Sequence, residues 1–163
     1  MSQLAERVGA GLKVHCMMLA TAESCTGGGI AQAVTDIYGS SAWFERGFVT
    51  YSNEAKVEML GVRSSTLETY GAVSEATVRE MAAGALARSH ADISLAVTGI
   101  AGPTGGTPEK PVGTVWFAWA LRDGEVLAQL HLLAGDRAVI RAKSVEIALQ
   151  GVLNALNNIK KTA

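Results

Sequence analysis

Apolar residues recur at Leu4, Val8 and Leu12 with mostly polar side chains between them, a spacing that predicts a helix over Ser2 to Lys13. The pattern then changes. Cys16 to Ala22 is a short continuous apolar run, followed by Glu23-Ser24-Cys25-Thr26-Gly27-Gly28-Gly29 and then by Ile30, Ala31, Ala33 and Val34. This order predicts a strand, a glycine-rich turn and a helix. Phe48 to Tyr51 is rich in β-forming side chains and ends at Ser52-Asn53, residues suited to cap a helix over Glu54 to Leu60 that Gly61 stops.

Ser74 precedes Glu75, and Val78, Met81, Ala82, Ala85 and Leu86 follow at helical spacing, which predicts a capped amphipathic helix. Ile93 to Val97 reads as a buried strand leading into Thr98-Gly99. Gly99 to Gly113 holds all three prolines of the chain and a run of glycines, so it is predicted to be one long loop. Long loops within compact domains are usually functional or disordered. Thr114 to Leu121 and Val126 to Leu133 flank Arg122-Asp123-Gly124-Glu125, a hairpin pattern. A last helix is predicted from Asp136, with Val145, Leu149, Val152, Leu156 and Ile159 on one stripe. Helices alternate with strands up to Gly99, and a hairpin and closing helix follow. The pattern predicts an α/β fold: a single three-layer α/β/α domain over residues 1–163, with a mixed sheet covered by helices on both faces.

Composition narrows the function. The 163 residues are 48% hydrophobic, enough for one well-buried core without disulfides. Fourteen basic residues against 15 acidic ones give a net charge of −1, which provides no electrostatic footprint for nucleic acid or an anionic membrane. The apolar runs fall well short of the roughly 20 residues needed to span a bilayer. The N-terminus lacks the basic and apolar regions of a secretory signal, and Cys16 and Cys25 match neither a disulfide scaffold nor a zinc site. A soluble protein of the reducing cytoplasm is expected.

In open α/β sheets ligands bind beyond the carboxyl ends of the strands, and three segments are placed there: Glu23 to Gly29, Thr50 to Lys56, and Thr98 to Gly106. Neither glycine cluster is a dinucleotide fingerprint or a P-loop, so tight turning and close packing are the ordinary reading of Gly27 to Gly29. Ser24 and Cys25 both carry nucleophilic atoms. As neighbours in an extended segment they are expected to face opposite ways, leaving one in the crevice. Ordinary roles exist for each: Cys25 as a small buried hydrophobe, Ser24 as a turn or cap residue.

A serine hydroxyl needs a base. His15 and His90 follow helices and His131 lies in a strand, all poorly placed for a triad. Lys56 is the alternative, provided burial or a nearby cation lowers its pKa; otherwise it is a solvated helix lysine. Arg137 and Arg141, four residues apart, are expected to project from one helix face, either as a phosphate fork or as a solvated basic face.

Six segments in order carry a wider resemblance: Ala22-Glu-Ser-Cys-Thr-Gly-Gly28, Gly47-Phe-Val-Thr-Tyr-Ser-Asn-Glu-Ala-Lys56, Gly71-Ala-Val-Ser74, Gly99-Ile-Ala-Gly-Pro103 with Gly105-Gly106, Lys110-Pro-Val-Gly-Thr-Val-Trp116, and Gly135-Asp-Arg137. Over nearly its whole length the chain resembles the CinA C-terminal domain family, whose stand-alone members deamidate nicotinamide mononucleotide. The resemblance implies hydrolysis of that mononucleotide to nicotinic acid mononucleotide and ammonia, in pyridine nucleotide recycling. It implies Ser24 as nucleophile, Lys56 as general base and Tyr51 as an assisting hydroxyl. Thr98 and Gly99 at the mouth of the glycine loop, and Arg137 or Arg141 on the phosphate side, are the implied substrate contacts.

Backbone N–H groups of Thr26, Gly27 and Gly28 are the expected oxyanion donors. No cofactor and no metal are implied. A homo-oligomer, dimer or larger, is implied, with Trp43 or Phe44 as an exposed interface residue. Three other readings compete: a module that binds a phosphorylated metabolite without turning it over, an amidase using Cys25, and a Tyr/Lys oxidoreductase. The last is set aside because Tyr51 and Lys56 are one residue too far apart and the dinucleotide fingerprint is missing.

Overall fold

The computed structural model describes residues 1–162. Their order is α1 (Ser2–Val14), β1 (Leu19–Glu23), α2 (Gly29–Thr35), β2 (Phe44–Val49), α3 (Asn53–Leu60), α4 (Ser64–Tyr70), α5 (Glu75–Ala87), β3 (Ile93–Gly99), β4 (Thr114–Leu121), β5 (Val126–Leu132) and α6 (Arg137–Thr162). The strands form one mixed sheet in the order β2-β1-β3-β4-β5. β1 is parallel to both β2 and β3, whereas β3, β4 and β5 pair antiparallel. The expected α/β fold with helices on both faces is the observed one.

Alternation along the central strands makes the two faces unlike. Leu19, Ile93, Leu95, Val97, Val115, Phe117 and Trp119 fill one face and pack against α1, α2 and α6. Ala20, Ala22, Ala96, Ala118 and Ala120 line the other, where Val78, Met81, Ala82 and Ala85 of α5 settle on them. Short side chains let α5 approach closely enough for Ser94 Oγ in β3 to donate 2.7 Å to the Ala82 carbonyl. Among the described residues no helix is long and apolar enough to cross a membrane.

Two expectations are corrected, and one helix has no counterpart in the sequence pattern. Trp43 is buried against Gly9 of α1 and Phe44 is half-buried on the same core, so neither is an exposed interface residue. β2 begins at Phe44 rather than Phe48: it is an edge strand whose exposed Gly47 and polar Glu45 and Arg46 conceal the β pattern. The α4 helix was not predicted, because Ser64 to Tyr70 has almost no apolar periodicity. It is held by a distant residue, Glu80 of α5, whose carboxylate accepts from Arg63 N at 2.9 Å and Thr66 Oγ1 at 2.6 Å.

The α3 helix is seated on α5 at Gly84, where an added Cβ would collide with the carbonyl of Leu60. Gly84→Ala must push the two helices apart. The expected cost is about 1–3 kcal/mol, read as a lowered midpoint in chemical unfolding. An unchanged midpoint would show that this close approach is dispensable.

Candidate active site

The chain leaves β1 for β2 on one side and reaches β3 on the other, so the carboxyl end of β1 is a topological switch point, the usual place for a ligand crevice in such sheets. The three segments beyond these strand ends converge there. They enclose a cavity of about 220 Å³ lined by Ser24, Cys25, Tyr51, Asn53, Lys56, Ala72, Val73, Thr98, Gly99, Ala101 and Arg137. Ser24 and Cys25 both face it, because the chain has left its extended conformation at Ser24 and turns over 25–28.

Lys56 is almost wholly buried, at 1% exposure, an unusual fate for a lysine. Ser52 caps the start of α3 by accepting from Ala55 N at 3.0 Å, which points the first turn of the helix and Lys56 inward. Lys56 Nζ lies 3.0 Å from Ser24 Oγ and donates to the carbonyls of Thr50 at 2.8 Å and Tyr51 at 3.3 Å. No carboxylate pairs with it among the described residues. Burial pushes its pKa below the ordinary 10.5, opposed only in part by the Cys25 sulfur. A neutral amine has two N–H groups and one lone pair. With both N–H groups taken by carbonyls, the lone pair is left for the Ser24 hydroxyl.

Burial also pushes the Cys25 thiol up to about 11, so at neutral pH it is not a thiolate nucleophile. The turn it belongs to is tightly held. Gly27 and Gly28 take φ values of 59° and 100°, which glycine tolerates best, and Gly27 N donates to Ser24 O at 3.0 Å. That bond removes Gly27 from the expected oxyanion donors. Glu23, fully buried, accepts from Thr26 Oγ1 at 2.6 Å, Ile30 N at 2.9 Å and Ala31 N at 3.0 Å. Its carboxylate therefore occupies the start of α2.

The two arginines separate. Arg137 is exposed at the cavity mouth, where its guanidinium donates to Gly102 O at 2.8 Å and to Tyr51 Oη at 3.2 Å. Arg141 does not line the cavity: it is half-buried behind the turn, donating to Cys25 O at 3.1 Å and Thr26 O at 3.2 Å. Tyr51 contributes its carbonyl to Lys56, while its hydroxyl is at the mouth on Arg137. Thr98 lines the wall and donates to Ala72 O at 2.9 Å.

Asn53, next to the Ser52 cap and expected to converge with Tyr51 and Lys56, lines the cavity, whereas sequence reasoning gave no site role to Glu23, Ala72 and Val73. A glutamate ending an otherwise apolar run into a glycine turn is the available signal for Glu23. Among the described residues no three His, Cys, Asp or Glu side chains are grouped to hold a metal ion.

Two outcomes follow from the buried lysine and the protonated thiol. Native Lys56 binds its proton less readily than the unfolded chain does, so it contributes increasing stability as pH rises from its depressed pKa towards 10.5. Unfolding of wild type and Lys56→Met, compared across that window, is expected to show the wild type gaining on the variant; a constant difference would mean an ordinary lysine. Iodoacetamide at neutral pH is expected to label the exposed Cys16 and spare Cys25, and mass spectrometry finding Cys25 labelled as fast would contradict the thiol's assignment.

The CinA C-terminal domain family matches residues 1–156. The chain is 57% identical over 148 residues to the nicotinamide-nucleotide amidohydrolase PncC of Escherichia coli K12, covering 91% of this chain and 90% of that one. It is 56% identical over 151 residues to the PncC of Enterobacter agglomerans, covering 93% and 92%. The crystal structure of the competence/damage inducible protein CihA from Agrobacterium tumefaciens superimposes with a TM-score of 0.91 at 52% identity, covering 96% of this chain and 94% of that one. On this match, the chain belongs to the CinA C-terminal domain family.

Proposed function

We propose that this chain is a nicotinamide-nucleotide amidohydrolase, converting nicotinamide mononucleotide and water to nicotinic acid mononucleotide and ammonia, and that residues 1–163 act as one catalytic domain. The observation that carries the reading is the 3.0 Å approach of a buried, uncompensated Lys56 amine to Ser24 Oγ at the floor of the cavity. The names of the relatives, nicotinamide-nucleotide amidohydrolases, support this class of substrate. Water-soluble reactants and a net charge of −1 suit a cytoplasmic enzyme of pyridine nucleotide recycling acting without nucleic acid or membrane partners, as a homo-oligomer.

In this mechanism Ser24 Oγ attacks the carboxamide carbon while its proton passes to the lone pair of Lys56. The carbonyl oxygen gains a negative charge, which N–H donors of the turn offset; a donor of this kind typically contributes about 3–4 kcal/mol. The tetrahedral intermediate expels ammonia, which leaves with the proton held by Lys56. Water then gives one proton to Lys56 as its oxygen attacks the acyl-Ser24 ester, that proton passes to Ser24 as the ester bond breaks, and the carboxylic acid product loses its own proton to solvent. Arg137 and Tyr51 at the mouth receive the phosphate end. Thr98 and Gly99 bound the pyridine. Tyr51 contributes its carbonyl to the Lys56 tripod and its ring to the mouth, a role its 62% exposure suits better than a proton relay.

Ser24→Ala, checked for folding by circular dichroism, is expected to release no ammonia from the mononucleotide. Lys56→Ala is expected to lose about 10²–10⁴-fold in kcat, the usual contribution of a general base. Near-normal turnover by either folded variant would reject the serine–lysine mechanism. Arg137→Ala should raise KM for the mononucleotide and leave the riboside almost unaffected; an equal effect on both would move the phosphate elsewhere.

A further inference from the structure

The turn that carries Ser24 is gripped by two oppositely charged side chains that the reaction itself does not use. Glu23 takes the Thr26 hydroxyl and two backbone N–H groups of α2. Arg141 spans the carbonyls of Cys25 and Thr26 with Nε and Nη2, a fork that fits two adjacent acceptors as it would a carboxylate. Thr26 is thereby held at its side chain and at the peptides on both sides.

A trans peptide is planar, and its C=O and N–H point in opposite directions. With the Cys25 carbonyl turned to Arg141, the N–H of Thr26, in the same peptide, is turned away from it. Ser24 N donates to Val97 O and Gly27 N to Ser24 O, whereas Thr26 N–H donates to no group among the described residues. It is an unspent donor one peptide beyond Cys25, which itself lines the cavity.

We propose that Arg141 and Glu23 are positioning residues that fix the Thr26 peptide so that its N–H is a preset donor to the oxyanion formed on Ser24 attack. The inference rests on the amidohydrolase reading and goes beyond it in giving Arg141 a role in geometry rather than in binding phosphate. A preset donor lowers the barrier because it needs no reorientation as charge develops, and a small displacement forfeits most of the gain.

Two consequences distinguish this role from its rivals. A phosphate ligand would affect the mononucleotide and not the riboside, chiefly through KM. A positioning residue affects the chemical step for both substrates equally.

The test compares wild type with Arg141→Ala, Arg141→Lys and Glu23→Gln, each checked by circular dichroism and thermal unfolding. Steady-state kinetics are measured on the mononucleotide and the riboside. Separately, the rate of Ser24 phosphonylation by a fluorophosphonate is followed by mass spectrometry; there Ser24 oxygen bonds to phosphorus, fluoride leaves and Lys56 takes the proton. Arg141→Ala is expected to lose about 100-fold in kcat with KM for the mononucleotide unchanged, the same factor in kcat/KM for the riboside, and a comparable slowing of labelling. Arg141→Lys should recover part of the loss, and Glu23→Gln should fall in the same direction.

A raised KM for the mononucleotide with unchanged kcat and an unaffected riboside would overturn the proposal. So would labelling at the wild-type rate in the folded Arg141→Ala and Glu23→Gln variants. If wild type releases no ammonia, the amidohydrolase reading fails and labelling alone decides: slower labelling in the variants sustains the positioning role, and equal labelling, or no labelling of wild type, overturns it.

Discussion

A lysine amine buried among two carbonyls and one hydroxyl is the constraint around which this site is arranged. Carbonyls of Thr50 and Tyr51 accept from Nζ, and Ser24 Oγ completes the set. A protonated amine in this position carries a charge that no carboxylate among the described residues pairs with, and removing such a charge from water costs several kcal/mol. The neutral form satisfies the same three neighbours without that cost, because its lone pair replaces the third donor. The environment thus favours the neutral state of the amine and turns its lone pair to the Ser24 hydroxyl. In the proposed reaction this is what turns an ordinary serine into a nucleophile.

The fold delivers those atoms through its topology. Thr50 N donates to Glu23 O at 2.8 Å and Ser24 N to Val97 O at 3.1 Å, so the ends of β2, β1 and β3 are locked together where Ser24 leaves the sheet. The capped start of α3 follows at once from β2 and brings Lys56 back over that point. On the far side, the alanine face of the sheet admits α5 at close range, and α5 in turn seats α3 at Gly84. Packing on one face therefore sets a distance in the site at the sheet edge.

Much of this was legible in the sequence, for physical reasons. Continuous apolar runs ending in glycine or polar turns located β1 and β3, and Ser74, which accepts from Thr77 N, capped α5 as its spacing suggested. The order of strands and helices placed Ser24, Lys56 and Thr98 near one another, and the family resemblance added Arg137. What stayed hidden depends on contacts between distant residues. α4 relies on Glu80, β2 is an exposed edge strand with polar side chains, and Trp43 is buried only because Gly9 makes room for it. Helical spacing puts Arg137 and Arg141 on one face, yet the loop packed on that face separates them. One guanidinium reaches the mouth and the other reaches the carbonyls behind Cys25 and Thr26. Glu23 reads in the sequence as the end of a strand and in the structure is the buried anchor of the turn that carries Ser24.

The central claim is that burial favours the neutral amine of Lys56 over its charged form, and it is open to direct titration. Carbon NMR of the Lys56 Cε methylene across alkaline pH, assigned by comparison with Lys56→Met, reports the protonation of Nζ alone. The account predicts a midpoint below the ordinary lysine value of 10.5. A midpoint at or above that value would show a charged ammonium beside Ser24 and contradict the account.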